Sequence, residues 1–195
     1  MGDGGKGILQ LIAFERWYGG VTASAGYGVR GRYRQQAGEG RAISLAIDAR
    51  IFASDYGEDF GGTQAAAYLS YEMVLAPDLS ASVGGFVRRE WLGEDSYSGL
   101  EAGLYGGLSH YLGDDLVAGV SASVSRLSYD APLLFLSPDA RRDWRFSGTA
   151  SLATRRPLLL GIYPSLAYSY NRNSSSIGFY RAERHRLRLG LLRSF

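Results

Sequence analysis

The feature that most constrains this chain is a two-residue hydrophobic rhythm sustained over segments longer than ordinary soluble strands. Successive side chains of a β-strand point to opposite faces, so alternation of apolar and polar residues marks a strand with a different medium on each side. Residues 41–54 show it cleanly, with Ile43, Leu45, Ile47, Ala49 and Ile51 on one face and Ser44, Ala46, Asp48 and Arg50 on the other. Trp144, Phe146, Ala150 and Leu152 repeat the pattern against Arg145, Ser147, Thr149 and Ser151. Leu160, Ile162, Leu166, Tyr168 and Tyr170 do so against Gly161, Ser165, Ser169 and Asn171. Ten such segments are predicted, at 8–18, 21–35, 41–54, 63–76, 79–91, 97–112, 116–128, 142–156, 158–171 and 183–195. Most exceed the roughly 9–11 residues that cross a bilayer at a tilt, and all exceed the roughly 5–6 of a typical soluble strand.

These segments predict an all-β chain, an antiparallel transmembrane β-barrel of about ten strands. The predicted organisation is a disordered leader at 1–7 and one barrel at 8–195. The connections support it. Tight turns at Ala37-Gly38-Glu39-Gly40, Ala76-Pro77-Asp78, Gly113-Asp114-Asp115 and Arg156-Pro157 alternate with longer loops at 55–62, 128–141 and 172–182. Only the short Gly19-Gly20 link departs from that alternation. Bacterial outer-membrane barrels have short periplasmic turns and long external loops, so the expected location is the outer membrane, with both chain ends in the periplasm. No apolar run approaches the about 20 residues of a membrane helix. The 27 Gly and 14 Tyr among 195 residues suit strands with one lipid face and one polar face.

Aromatic residues cluster near predicted strand ends: Trp17, Tyr18, Tyr33, Tyr56, Tyr71, Trp91, Tyr97, Tyr111, Tyr129, Trp144 and Tyr170. Their amphipathic rings favour the headgroup level, which predicts two girdles. The first residues, Met1-Gly-Asp-Gly-Gly-Lys-Gly7, have neither the apolar core nor the cleavage site of a secretory leader. An outer-membrane protein is made with one, so the expectation is either that it has been removed or that an upstream part precedes this sequence. The absence of cysteine excludes disulfides and thiolate metal sites. With a net charge of +2, no nucleic-acid partner is expected.

Parity assigns a set of charges to the polar face, hence to a barrel lumen: Arg30, Arg32, Arg34, Asp48, Arg50, Glu72, Arg88, Glu90, Glu101, Asp143, Arg145, Arg155, Arg186 and Arg188. On the lipid face an Arg at mid-bilayer would cost about 2–4 kcal/mol. Such a face either guides a polar substrate, with a bias towards anions, or pairs its charges across strands to stiffen a small barrel. Nearly all the positive charge is Arg, with Lys6 the single Lys. Multidentate pairing in a tight lumen or GC-rich codon usage would each produce that bias. Gly26, Gly28, Gly84, Gly103, Gly107, Gly119 and Gly161 fall on the same face, leaving room and allowing curvature. Pro164 is expected to mark a bulge or kink in the ninth strand. The apolar loop Pro132-Leu133-Leu134-Phe135-Leu136 would lie on the membrane, contact a partner or fold inward as a plug. His185, with Glu183 and Ser174-Ser175-Ser176 nearby, permits a Ser–His–acid site to be drawn, although a solvated rim histidine explains it as well. His110 falls at a predicted turn end. No catalytic residue, cofactor or metal is expected from two histidines and no cysteine.

The chain closes on Arg188-Leu189-Gly190-Leu191-Leu192-Arg193-Ser194-Phe195. This resembles the signal read by the barrel-assembly machinery, through polar Arg188, Gly190 and terminal aromatic Phe195, with Arg193 departing from the pattern. A wider resemblance rests on Arg16-Trp17-Tyr18-Gly19-Gly20, on Arg142-Asp143 followed by Gly161-Ile162-Tyr163-Pro164, on Asn171-Arg172-Asn173-Ser174-Ser175 with Phe179-Tyr180, and on His185-Arg186-Leu187-Arg188-Leu189-Gly190-Leu191. Together these resemble the barrel domain of the surface lipoprotein assembly modifier (Slam) family. The resemblance implies a role in delivering lipoproteins or secreted proteins across the outer membrane. It also implies that the ten segments correspond to the last ten of about fourteen barrel strands, preceded by periplasmic helical repeats. The expected partners are outer-membrane lipids, the barrel-assembly machinery during insertion, and an exported protein or lipoprotein. A small pore for polar or anionic solutes and a ten-stranded hydrolase are the alternatives.

Overall fold

The structure is a computed structural model that describes residues 5–18, 21–156 and 162–193. It contains ten strands: β1 (Lys6–Tyr18), β2 (Val21–Gln36), β3 (Arg41–Ser54), β4 (Gly62–Ala76), β5 (Leu79–Leu92), β6 (Gly99–Leu112), β7 (Leu116–Pro132), β8 (Ala140–Thr154), β9 (Ile162–Ser175) and β10 (Ala182–Arg193). They form one antiparallel sheet in which every strand lies beside its sequence neighbours, in the order β1 to β10. Single 3-10 turns at Glu58–Phe60 and Gly178–Tyr180 interrupt two of the longer loops. Among the described residues no helix is long and apolar enough to cross a membrane.

The register joins nine strands along one rung: Gln10, Arg30, Asp48, Ala66, Arg88, Glu101, Leu127, Asp143 and Ser175 are successive cross-strand partners. Residues on one rung share a face, so this rung and every second residue from it along each strand define the polar face. The opposite face is apolar and open. Leu45, Ile47, Leu69, Leu104, Val120, Phe146 and Leu166 are all exposed there. Conversely, Asp48, Glu101, Ser125, Arg141, Asp143 and Ser175 are buried. Water-soluble proteins place these classes the other way round. An outer face of this kind is what a bilayer would cover.

β1 and β10 end the strand order, and among the described residues no pairing joins them. Outer-face leucines there have a neighbour on one side only: Leu11 is 89% and Leu189 72% exposed, against 46% for Leu45 in the sheet interior. The short turns are shaped by glycine at Gly38, Gly40 and Gly113, whose φ values of 118°, 65° and 65° lie where other residues are strained. One-residue β-bulges fall at Arg16/Trp17 and Val74/Ala76, and a two-residue register shift at Ser128/Pro132, all near strand ends.

Several expectations are corrected. β1 starts at Lys6, pairing Lys6 with Arg34 and Gly7 with Tyr33, so two residues assigned to a leader belong to the sheet. β7 runs on to Pro132 through its register shift, and β9 on to Ser175. Pro164 causes no shift in the β9–β10 register, and β8 pairs with β9 only from Ser165 onward. The missing N–H therefore falls beyond the last rung to β8. Of the presumed girdle residues, the register turns Tyr111 and Tyr129 to the polar face. Trp17, Tyr33, Tyr71, Trp91, Trp144 and Tyr170 do face outward, with all three Trp towards the end that carries the longer loops.

Candidate functional site

The polar face is built in layers because alternation places a polar or small side chain at every second position of each strand. At the level of the common rung, two arginines clamp Asp48, which is 5% exposed. Arg30 Nε donates to Asp48 Oδ2 at 2.8 Å. Arg50 donates from Nε to Oδ1 at 2.6 Å and from Nη2 to Oδ2 at 3.0 Å. These are charge-assisted, partly bidentate contacts that use both carboxylate oxygens.

Three strands away, on β6, Glu101 repeats the arrangement. Ser125 Oγ donates to its Oε1 at 2.6 Å, and Arg145 Nη1 donates to Oε2 at 3.3 Å. Arg88 Nη2 donates to the same Oε2. Beside it, Gln64 Nε2 donates to Glu90 Oε1 at 2.5 Å. Towards the turns, Arg34 pairs with Glu72 at 2.7 Å, and both side chains are exposed.

Below the Glu101 cluster lies an aromatic layer. Tyr68 and Phe86 stack with centroids 5.9 Å apart. Tyr105 lies over Gly84, where a Cβ would come within 2.5 Å of its ring, and Phe86 lies over Gly103 in the same way. Glycine here makes room for an aromatic ring on the neighbouring strand. Beyond this layer, towards the turns, small residues leave a hollow of about 630 Å³ lined by Ser82, Gly107, Ser109, Gly119, Ser121 and Ser151.

At the loop end Arg141 is held between two aromatic rings, its guanidinium 3.8 Å from the centroids of both Tyr129 and Tyr180. Its Nη2 also donates to the Tyr129 hydroxyl, and its Nε lies 3.4 Å from Asp143 Oδ2. Asn173 Nδ2 donates to Asp143 Oδ2 at 3.3 Å and to the Tyr180 carbonyl at 2.7 Å. This ties the starts of β8 and β10 to the ends of β7 and β9.

The sheet therefore brings together ten of the fourteen charges assigned to the polar face: Arg30, Asp48 and Arg50; Arg34 and Glu72; Arg88, Glu101 and Arg145; with Glu90 and Asp143 in the adjoining clusters. Arg32, Arg186 and Arg188 share that face but make no ion pair among the described residues. Arg155 follows β8 and stacks on Tyr111, 4.6 Å from its centroid. Sequence reasoning missed Gln64, Ser125, Arg141, Asn173 and Arg184. Parity with Asp143 and Arg186 was signal enough for Arg141 and Arg184, whereas Ser125 is recognisable only once register sets it beside Glu101. In the closing motif, Arg188 and Gly190 lie on β10 and Phe195 lies outside the described residues. Gly190 faces Ser165, whose Oγ would be 2.5 Å from an added Cβ.

Among the described residues, neither histidine is hydrogen-bonded to a serine. His185 is on the outer face, with Nδ1 2.7 Å from the Tyr168 hydroxyl and Nε2 3.4 Å from Glu183. Ser175 and Ser176 instead accept backbone N–H groups of Ile177 and Arg142. His110 pairs with Asp78 at 3.0 Å. Among the described residues no group of His, Cys, Asp and Glu could hold a metal ion.

No curated protein and no solved structure matches the chain. A family model does, over residues 9–195, and it is that of the surface lipoprotein assembly modifier. The match takes in all ten strands of the sheet and nearly the whole sequence, so the chain belongs to the surface lipoprotein assembly modifier family.

Proposed function

We propose that this chain works in the bacterial outer membrane as a barrel that assists delivery of a lipoprotein or secreted protein to the cell surface. Its family ties it to surface lipoprotein assembly. The observation that supports the finer reading is the uneven distribution of charge on the polar face. The carboxylates there, Asp48, Glu72, Glu90, Glu101 and Asp143, all lie on β3 to β8 and are engaged with neighbours. Arg184, Arg186 and Arg188 on β10, and Arg32 on β2, have no carboxylate partner among the described residues. Paired charges stiffen the wall, while the unpaired arginines offer an acidic polypeptide segment weak contacts along a passage. Outer-membrane lipids would cover the apolar face, and the barrel-assembly machinery would read β10 through Arg188, Gly190 and Phe195.

The test is surface display of a co-expressed lipoprotein, read by protease shaving of intact cells. Arg32→Gln/Arg184→Gln/Arg186→Gln is expected to lower display several-fold at unchanged barrel level; Arg188 is kept because it also belongs to the closing motif. Unchanged display would refute the role of these arginines. The hollow beside Ser82 and Gly107 favours a second reading, a small pore for polar solutes. Steady single-channel conductance in planar bilayers, lost on filling that hollow with Gly107→Trp, would support it.

A further inference from the structure

The outer face carries a second charged feature that passage through the barrel does not use. At the loop end, Arg126 on β7, Arg142 on β8 and Arg172 on β9 all point outward. Arg126 is the cross-strand partner of Trp144, and its guanidinium sits 5.8 Å from the indole centroid. Arg142 precedes Trp144 by two residues on the same face. Arg172 is the partner of Phe146, so it is a diagonal neighbour of Trp144. The three arginines line one open hollow of about 640 Å³, shared with Ser174, Arg181 and Glu183.

Its charge is unbalanced. Among the described residues, no carboxylate lies within ion-pair distance of Arg126, Arg142 or Arg172. Glu183 is opposite Arg172 in register but pairs with His185 at 3.4 Å. Arg181 Nε is occupied by the Ser175 carbonyl at 3.0 Å. Elsewhere at this end of the outer face a charge is neutralised, as where Arg89 meets Asp130 through two hydrogen bonds. The hollow thus holds four arginines against one acid, Glu183.

We propose that Arg126, Arg142 and Arg172, arranged around Trp144, form a binding site for the phosphate head group of an anionic membrane lipid. Next to the hollow, on the same face, lie the exposed Val124 and Phe146, with Val120 and Leu152 further along the same strands. An occupant therefore meets cations at the rim and an apolar wall below, matching a phosphorylated head group and acyl chains. Guanidinium pairs bidentately with phosphate oxygens, and indole settles at the headgroup level. The position is also tolerable for arginine, because a lipid-facing Arg costs about 2–4 kcal/mol at mid-bilayer but only about 0–1 near the interface. The proposal rests on the bilayer covering the apolar face, and not on protein export.

The test uses the full chain extracted from outer membranes in mild detergent, with bound lipid read by native mass spectrometry. The probes are bisphosphorylated lipid A, its dephosphorylated counterpart with the same acyl chains, and inorganic phosphate. The wild type is expected to retain the phosphorylated lipid about tenfold more than the dephosphorylated one. Arg126→Gln/Arg142→Gln/Arg172→Gln is expected to abolish that preference. The inner-face variant Arg32→Gln/Arg184→Gln/Arg186→Gln, which removes as many charges, is expected to keep it. Equal retention of the two lipids, or undiminished preference in the outer-face variant, would overturn the proposal. Displacement of the lipid by inorganic phosphate at equal concentration would also overturn it, reassigning the hollow to free anions. If the triple variant does not insert, Arg142→Gln and Arg172→Gln are read singly, each with a several-fold loss expected; no loss in either counts against the site. Export is read by surface display and lipid retention by mass, so failure of one leaves the other standing.

Discussion

Replacing Glu101 with Gln should destabilise the sheet more than replacing either arginine that pairs with it. Glu101 is 4% exposed, and both of its oxygens accept hydrogen bonds, Oε1 from Ser125 and Oε2 from Arg88 and Arg145. Glutamine preserves the volume and can still accept from Ser125. It removes the one charge that balances two guanidiniums, and its amide N–H groups compete with theirs. Removing one partner of a fully buried pair costs about 3–5 kcal/mol. Here the Arg88 and Arg145 side chains are 33% and 39% exposed, so water takes part of the load. The expected loss is therefore about 1.5–3 kcal/mol. Arg145→Gln leaves Arg88 and Ser125 on the carboxylate and should cost about 0.5–1 kcal/mol. Urea titration of the barrel refolded into phospholipid vesicles, followed by tryptophan fluorescence, measures both. Loss of less than about 0.5 kcal/mol in Glu101→Gln, or equal losses in the two variants, would show that the carboxylate is not the centre of the cluster.

Other consequences can be measured in the same system. Leu104, outward and in the middle of β6, should cost about 2–4 kcal/mol when replaced by Arg, while Ser121→Arg, directed into the hollow of the polar face, should cost well under half of that; similar costs would mean that lipid does not cover the face assigned to it. Arg141→Lys forfeits the flat stack between Tyr129 and Tyr180, with a stability loss of about 1–2 kcal/mol and faster proteolysis within 133–139 and 176–181. The His110 hydrogen bond holds the Asp78 carboxyl below its ordinary range. A depressed carboxylate stabilises the fold above its unfolded value and loses that contribution as pH falls through the folded one, so the effect belongs to the region below about pH 4. Asp78→Asn should flatten this acid limb in heat-modifiability measurements across pH, and coincident curves would dismiss the pair.

Alternation was enough to recognise strands and to sort their faces, because parity is a local property. It does not determine which rung meets which, and the clusters depend on that. Asp48, Arg30 and Arg50 were assignable to one face from sequence. That both arginines share this one acid follows from the Arg30–Asp48 register. A one-residue slip would have reversed every face, whereas a two-residue slip would keep the faces and change the partners. Strand ends were harder to place. Asn171-Arg172-Asn173-Ser174-Ser175 has the composition of a loop, yet it pairs with β8 throughout and with β10 as far as Asn173. Tyr111 and Tyr129 have the position of girdle residues, yet parity turns them inward, where arginines occupy their rings. The Arg126, Arg142 and Arg172 group escaped notice because its members are far apart in sequence and sit on the face read only for its apolar residues.

The strict neighbour-to-neighbour order of the sheet has a kinetic consequence. Every described pairing joins a strand to the next one in sequence, so each hairpin closes a short loop and no segment waits for a distant partner. Contact order is low for an all-β protein of this length, which removes the main reason such folds form slowly. The sheet can grow one hairpin at a time, as a zipper does, and a fault in one hairpin stalls growth there without unpicking what has already formed.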